Sequence, residues 1–235
     1  MSNKAPSMLT KLPALAAIAV LGGACSTTQP TIDTSAGVEP TFDDLYPVRN
    51  SAADEAWARA DLDLSGYHSI MLDEVAVEYR PGGESNRTYA ARSRTAAFEV
   101  TAEQRRRFET LMAEVFRDEL AKSTRFTLAD EPGPDTLLIH AALLDVVSFV
   151  PPDVVGRSDI YLSRVGEATL VLELRDSVTE AILARAIDRK AAERNSGQLQ
   201  LSNRVTNTAE VRRVAQAWAR SLRDGLERFA ETQHR

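Results

Sequence analysis

The sequence predicts an α+β domain over residues 51–235, with a mostly antiparallel sheet of about four to five strands and two amphipathic helices packed on one face. Three patterns predict it. Apolar residues recur at helical spacing from Phe108 to Leu120 and again from Val211 to Phe229. Residues 136–150 form an almost continuous apolar run. Residues 165–175 and 181–192 alternate on either side of Asp176-Ser177-Val178-Thr179-Glu180, as the two arms of an antiparallel hairpin do.

Ahead of that domain lies a leader. Lys4 and Lys11 are basic, residues 12–21 are a short apolar run, and Gly22-Gly23-Ala24 leads into Cys25. The run is too short to span a bilayer, which takes roughly 20 helical residues. Basic start, short apolar stretch and small residues mark a secretory signal over residues 1–24, cut between Ala24 and Cys25. Cys25 is the chain's single cysteine. It has no internal partner for a disulfide, and its position suits attachment of a diacylglycerol group. The pattern resembles the signal of bacterial lipoproteins, with Gly22 at the usual aliphatic position and Leu21 one residue further out. Ser26 stands where aspartate commonly retains such proteins at the inner membrane, so the resemblance implies the outer membrane, facing the periplasm. Several acyl chains on one cysteine anchor stably where one does not.

Residues 25–50 read as a lipidated flexible tether, polar and interrupted by Pro30, Pro40 and Pro47. Phe42, Leu45 and Tyr46 are its apolar exceptions, suited to docking on the domain or on a partner. Residues 51–59 suggest a short helical segment carrying Trp57. Residues 67–79 read as one strand, bulged near Asp73. Pro81-Gly82-Gly83 ends it, and a polar loop runs to Val100. Thr101 and Gln104 form a capping box opening the first helix. Arg105-Arg106-Arg107 makes no single patch, because consecutive helical residues point about 100° apart; it reads as a solvated helix surface. Residues 126–128 suggest a short strand, and residues 130–135 a turn. Residues 136–150 fit a helix by periodicity alone, but the flanking turns favour a buried strand that continues into an edge. A loop over 151–163 and the hairpin follow. Asn207 and Glu210 look like the cap and third position of the last helix.

Within the hairpin, Gly166-Glu167-Ala168-Thr169, Glu173-Leu174-Arg175-Asp176-Ser177-Val178-Thr179 and Leu183-Ala184-Arg185-Ala186-Ile187-Asp188-Arg189 resemble an uncharacterised family of bacterial lipoproteins, domain of unknown function 3313. Tyr67-His68-Ser69-Ile70-Met71-Leu72-Asp73 and Ala141-Ala142-Leu143-Leu144-Asp145-Val146 are similar too. The departure is at Glu180-Ala181, where such a hairpin often has Thr-Gly-Glu. The resemblance carries a role onto one residue, the lipid-bearing Cys25.

Composition narrows the function. A hydrophobic content of 43% supports a real core, and a net charge of −6 argues against binding nucleic acid by bulk electrostatics. The sequence has no phosphate-binding loop, no His-Glu-x-x-His and no Gly-x-Ser-x-Gly. His140, alternating with Leu138 and Ala142, reads as a satisfied core or sheet-face histidine before it reads as a base or ligand. Asp145, Asp153 and Asp159 flank a turn-rich loop and suggest a hard-cation cluster only by proximity. Ser158 or Ser163 near Asp159 is the weak hydrolytic alternative. His68, the terminal His234 and the Asn86-Arg87-Thr88 sequon carry no role. The expectation is a non-enzymatic protein with no cofactor and no metal, held to the membrane through Cys25 and bound to an envelope protein of unknown identity. A periplasmic glycan- or small-molecule-binding module, associated with peptidoglycan, is the alternative, with a hydrolase ranked last.

Overall fold

The computed structural model describes residues 29–80, 97–151, 159–193 and 198–232. Its strands are β1 (Thr31–Ile32), β2 (Leu45–Arg49), β3 (Glu55–Arg59), β4 (Ser69–Leu72), β5 (Ala76–Tyr79), β6 (Thr127–Leu128), β7 (Thr136–Ser148), β8 (Tyr161–Leu162), β9 (Arg164–Asp176), β10 (Ile182–Glu193) and β11 (Gln200–Leu201); its helices are α1 (Ala102–Leu120) and α2 (Arg204–Thr232). Nine strands join in one mixed sheet, in the order β1-β2-β3-β10-β9-β7-β4-β6, with β5 also paired to β7; β8 and β11 form a separate pair.

This corrects the expected four-to-five-stranded, mostly antiparallel sheet, although the class remains α+β. Two causes account for the difference. Residues 29–59 supply three strands where a tether and a short helical segment are expected. Glu55-Ala56-Trp57-Ala58-Arg59 is built mostly of good helix formers, yet it pairs with β10, and Ala58 is buried. Tertiary pairing overrides the local preference. Within the expected tether, Leu45 is fully buried while Phe42 stays 95% exposed.

The second cause is parallel pairing. The single strand expected over 67–79 divides into β4 and β5, and both lie parallel to β7. The Asp73 N–H donates to the Ile139 carbonyl, so the break between them stays tied to β7. β6 is parallel to β4. Helix α1 lies between these strands in sequence and carries the chain back to the same end, which is what a parallel connection requires.

β7 is the centre. Leu137, Ile139, Ala141 and Leu143 are almost completely buried and face the helices. β7 does not reach an edge, as its sequence suggests; β9 covers one side, β4 and β5 the other. Both helices pack on the same side of the sheet. Met112, Val115 and Phe116 of α1 meet Val214, Ala215, Trp218 and Ala219 of α2 over Ala141, Leu143 and Leu170. A second cluster gathers Leu120, Phe126, Leu137, Leu174 and Leu226 at the other end.

The Thr101–Gln104 capping box forms as expected. Helix α2 begins earlier than expected. Asn203 caps it, its Oδ1 accepting from the Thr206 N–H while Thr206 Oγ1 accepts from the Asn203 N–H. The hairpin turn is held by the Asp176 carboxylate, which accepts from the Val178 and Thr179 N–H groups. It places Glu180 at φ 58°, a left-handed conformation that glycine adopts without strain. The glycine common at this turn in the resembling family therefore has a steric reason.

Two glycine-related substitutions test this backbone. Glu180→Gly is expected to stabilise the domain by about 1 kcal/mol, as the left-handed residue loses its Cβ clash. Gly166→Ala is expected to cost about 1–3 kcal/mol, because the added Cβ would lie 2.5 Å from the Val147 carbonyl oxygen. Urea denaturation midpoints check both.

Candidate functional site

On the helix side of the sheet, the N-terminal halves of α1 and α2 lie over the far ends of β7, β9 and β10. They leave a cavity of about 1040 Å³. Its floor is apolar, with Phe108, Leu111 and Met112 from α1, Val146 from β7, and Val214 and Trp218 from α2. Gly166, Ala168 and Ala192 keep the sheet surface low. A cavity of this size suits a small molecule.

Its mouth is polar. Arg107 pairs with Glu103. Arg106 and Arg204, and likewise Glu114 and Asp159, line the cavity with no side-chain partner among the described residues. The triple arginine thus divides as helical geometry demands. Arg105 lies over the Tyr79 ring, 4.4 Å from its centroid, Arg106 reaches the mouth, and Arg107 binds Glu103. All three stay exposed, as a solvated helix surface requires.

Tyr79 lines the same cavity and packs edge-on against Phe108, with centroids 6.3 Å apart. Its hydroxyl is buried without a hydrogen-bond partner among the described residues. Burial pushes it up to about 12, so the group stays protonated and keeps a proton to donate. An unmet buried hydroxyl costs about 1–3 kcal/mol.

Trp218 forms one wall of this cavity and also borders a second, apolar slot of about 180 Å³ under the C-terminal half of α2. Ala56, Ala58, Ala184, Ala186 and Gly225 make room for the slot beside Leu222 and Phe229, and Pro30 lies at its rim. Trp218 is held by Asp188, a β10 carboxylate only 8% exposed, whose Oδ2 accepts from the indole Nε1–H at 2.6 Å. The carboxylate is also paired with Lys190 and accepts from the Asp54 N–H.

Over the opposite face of the sheet lies no helix among the described residues. That face carries a relay of charges from Asp43 to Arg185, Glu173 and Arg175, with the Arg185–Asp43 and Arg185–Glu173 contacts at 2.5 and 2.9 Å. His140 lies here, its Nδ1 3.0 Å from Asp73 Oδ2 and its side chain 42% exposed. It is a sheet-face histidine hydrogen-bonded to Asp73. Asp145 binds Arg80, its Oδ1 2.5 Å from the guanidinium Nε, and Asp159 is separated from it at the cavity mouth. No group of three metal-ligating side chains occurs among the described residues. No hydrogen bond joins Ser163 to Asp159 among the described residues. His68 Nδ1 stands 3.9 Å from Asp135. Ala24, Cys25, Asn86, Asp153, Ser158 and His234 lie outside the described residues.

The sequence reading misses Tyr79 and Trp218 as lining residues, since each fits an apolar pattern. The only signal is chemical: both carry a polar hydrogen in an otherwise aliphatic stripe.

A family model described as protein of unknown function, DUF3313, matches residues 38–222. No curated protein matches. Among solved structures, the chain is similar to a Xanthomonas campestris protein of family DUF330, with TM-score 0.44, 10% identity, and coverage of 88% of this chain and 96% of that one. It is similar to a PelC dodecamer from Paraburkholderia phytofirmans, with TM-score 0.33, 10% identity, and coverage of 73% and 97%. It is also similar to a neuraminyllactose-binding hemagglutinin homolog from Helicobacter pylori, with TM-score 0.37, 12% identity, and coverage of 74% and 96%.

The charge relay predicts acid sensitivity. In Asp43 and Glu173 burial pushes the carboxyl up, but hydrogen bonds outweigh it, from Thr41 and Arg185 to Asp43 and from Arg175 and Arg185 to Glu173; both stay below their ordinary 3.8 and 4.5. A depressed carboxylate contributes stability above its unfolded value and loses it as pH falls through its folded one. The melting temperature of the wild type is expected to fall more steeply between about pH 5 and about pH 3 than that of the Asp43→Asn/Glu173→Gln variant. Differential scanning calorimetry across that range checks it.

Proposed function

We propose that this chain, which belongs to the DUF3313 family of proteins of unknown function, is an exported lipoprotein that binds an amphipathic component of the cell envelope without transforming it. Its anchor is Cys25, and its place is the periplasmic face of the outer membrane. The leader, the small residues before Cys25 and Ser26 after it support the anchor. No helix among the described residues is long and apolar enough to cross a membrane.

The observation that carries the binding reading is the cavity between the helices. It joins an apolar floor to a charged mouth. A ligand with an apolar body and a polar head would remove apolar surface from water and leave its head among the charged groups of the mouth. A protein partner in the envelope is the second reading, favoured by Phe42. This ring is 95% exposed, and it sits beside Arg185 on the face of the sheet opposite α1 and α2.

Palmitate labelling and membrane fractionation test the anchor. Wild-type protein is expected to carry label and sediment with the outer membrane, and Cys25→Ala to lose the label and appear in the soluble periplasm. An unlabelled wild type overturns the anchor. Solvent extraction of the purified Cys25→Ala protein, followed by mass spectrometry, tests the ligand. A bound amphiphile is expected, with occupancy lowered roughly tenfold by Leu111→Trp, which fills the floor. Bound saccharide, or no bound molecule, overturns the cavity reading. In-cell crosslinking of Phe42→Ala against wild type checks the second reading, which predicts loss of a specific envelope protein.

A further inference from the structure

We propose that Trp218 is the partition that sets how long an acyl chain the cavity accepts, with the chain lying under α2 and its head at the Arg106–Arg204 mouth. This rests on the ligand reading above and adds the class of ligand, its direction and the residue that limits it.

Two hollows lie between α2 and the sheet, and Trp218 lines both. The larger one follows α2 from Arg204 and Asn207 to Trp218; the slot continues from Trp218 to Phe229. A helix rises about 1.5 Å per residue, so the distance from Asn207 to Trp218 is about 16 Å. Carbon–carbon bonds of about 1.5 Å in a zigzag cover that length in roughly 13 bonds. The larger hollow therefore suits one medium-length acyl chain, entering tail first from the mouth.

The slot beyond is apolar and lined by small residues. It offers an acyl tail the same surroundings as the floor, but the indole stands in the way. That indole is 4% exposed, and its polar hydrogen is committed to Asp188. Lys190 reinforces the arrangement. It is paired with the same carboxylate, and its Nζ lies 5.9 Å from the indole ring centroid. The Asp188–Lys190 pair thus serves as a positioning device, fixing the indole across the passage. Removing the indole would join the hollows into one passage along most of α2.

Gly225 supplies an independent handle. A Cβ there would meet no atom within 4 Å, and the residue faces the slot. Gly225→Leu therefore fills the slot without disturbing the wall, and it replaces a poor helix former with a good one.

The test uses the full chain carrying Cys25→Ala, with fatty acids of 12, 14, 18 and 20 carbons as probes and affinity read by calorimetry. Wild-type Trp218 is expected to favour the shorter pair by at least about tenfold. Trp218→Ala is expected to reverse that preference, Trp218→Phe, which keeps a ring but loses the bond to Asp188, to narrow it without reversing it, and Trp218→Ala/Gly225→Leu to restore it. Gly225→Leu alone is expected to change nothing. A second measurement needs no substitution at the wall. In Trp57→Phe protein, whose remaining tryptophan is Trp218, myristate brominated at its terminal carbon is expected to quench the fluorescence several-fold more than myristate brominated at carbon 2. Wild-type protein that binds none of the probes overturns the ligand reading itself. Binding without a length preference, or with equal quenching by both bromine positions, overturns the partition and leaves the ligand reading standing.

Discussion

The structure depends on one constraint, which is that β7 must satisfy hydrogen bonds along both edges while burying one face. A buried strand leaves no backbone N–H or C=O to water. β9 meets this demand along one edge, and β4 with β5 meets it along the other. The face it buries is then fixed by alternation, with Leu137, Ile139, Ala141 and Leu143 toward the helices. A slip of one residue would turn all four outward. The bulge at Asp145, where φ is 55° and Arg80 binds the carboxylate, lets the strand continue beyond that stretch with Val146 and Val147 still buried.

The helices meet this surface unevenly. At one end the apolar side chains interdigitate around Leu120, Phe126 and Leu226. At the other, Gly166, Ala168 and Ala192 leave the sheet too low for α1 and α2 to close upon it. The cavity arises from side-chain volume, since small residues face the two helices. The asymmetry extends to the polar groups. Asp188 satisfies Trp218 and Lys190 within hydrogen-bonding reach, whereas the Tyr79 hydroxyl has no partner among the described residues.

The central elements are legible in the sequence because their periodicity is long and their turns are chemically marked. The α1 capping box, the apolar run of β7 and the Asp176 turn of the hairpin each combine a pattern with a mechanism. The sheet's outer strands are not legible. Four or five residues give too little periodicity, and the alternation of Ala56 and Ala58 with Trp57 reads as helical composition. Parallel pairing of β4 and β5 is a property of where α1 returns the chain, and nothing within those strands encodes it. The cavity is illegible for a related reason. Tyr79, Arg106, Gly166 and Trp218 are far apart in sequence, and each alone fits a structural role. His140 is the opposite case, since alternation alone places it on the sheet and the structure adds its partner Asp73.

The docking of β1 has a consequence for geometry at the bilayer. Thr31 and Ile32 are already paired with Arg49 and Val48, and the Asn50 side chain donates to the Gln29 carbonyl. For a chain held at Cys25, the leash is then residues 26–29 rather than all of 26–50. Fully extended, it spans at most about 14 Å. A domain on so short a leash would work at the height of the lipid headgroups, with one edge of its sheet, and the hollow beside Pro30, turned toward the surface that bore it.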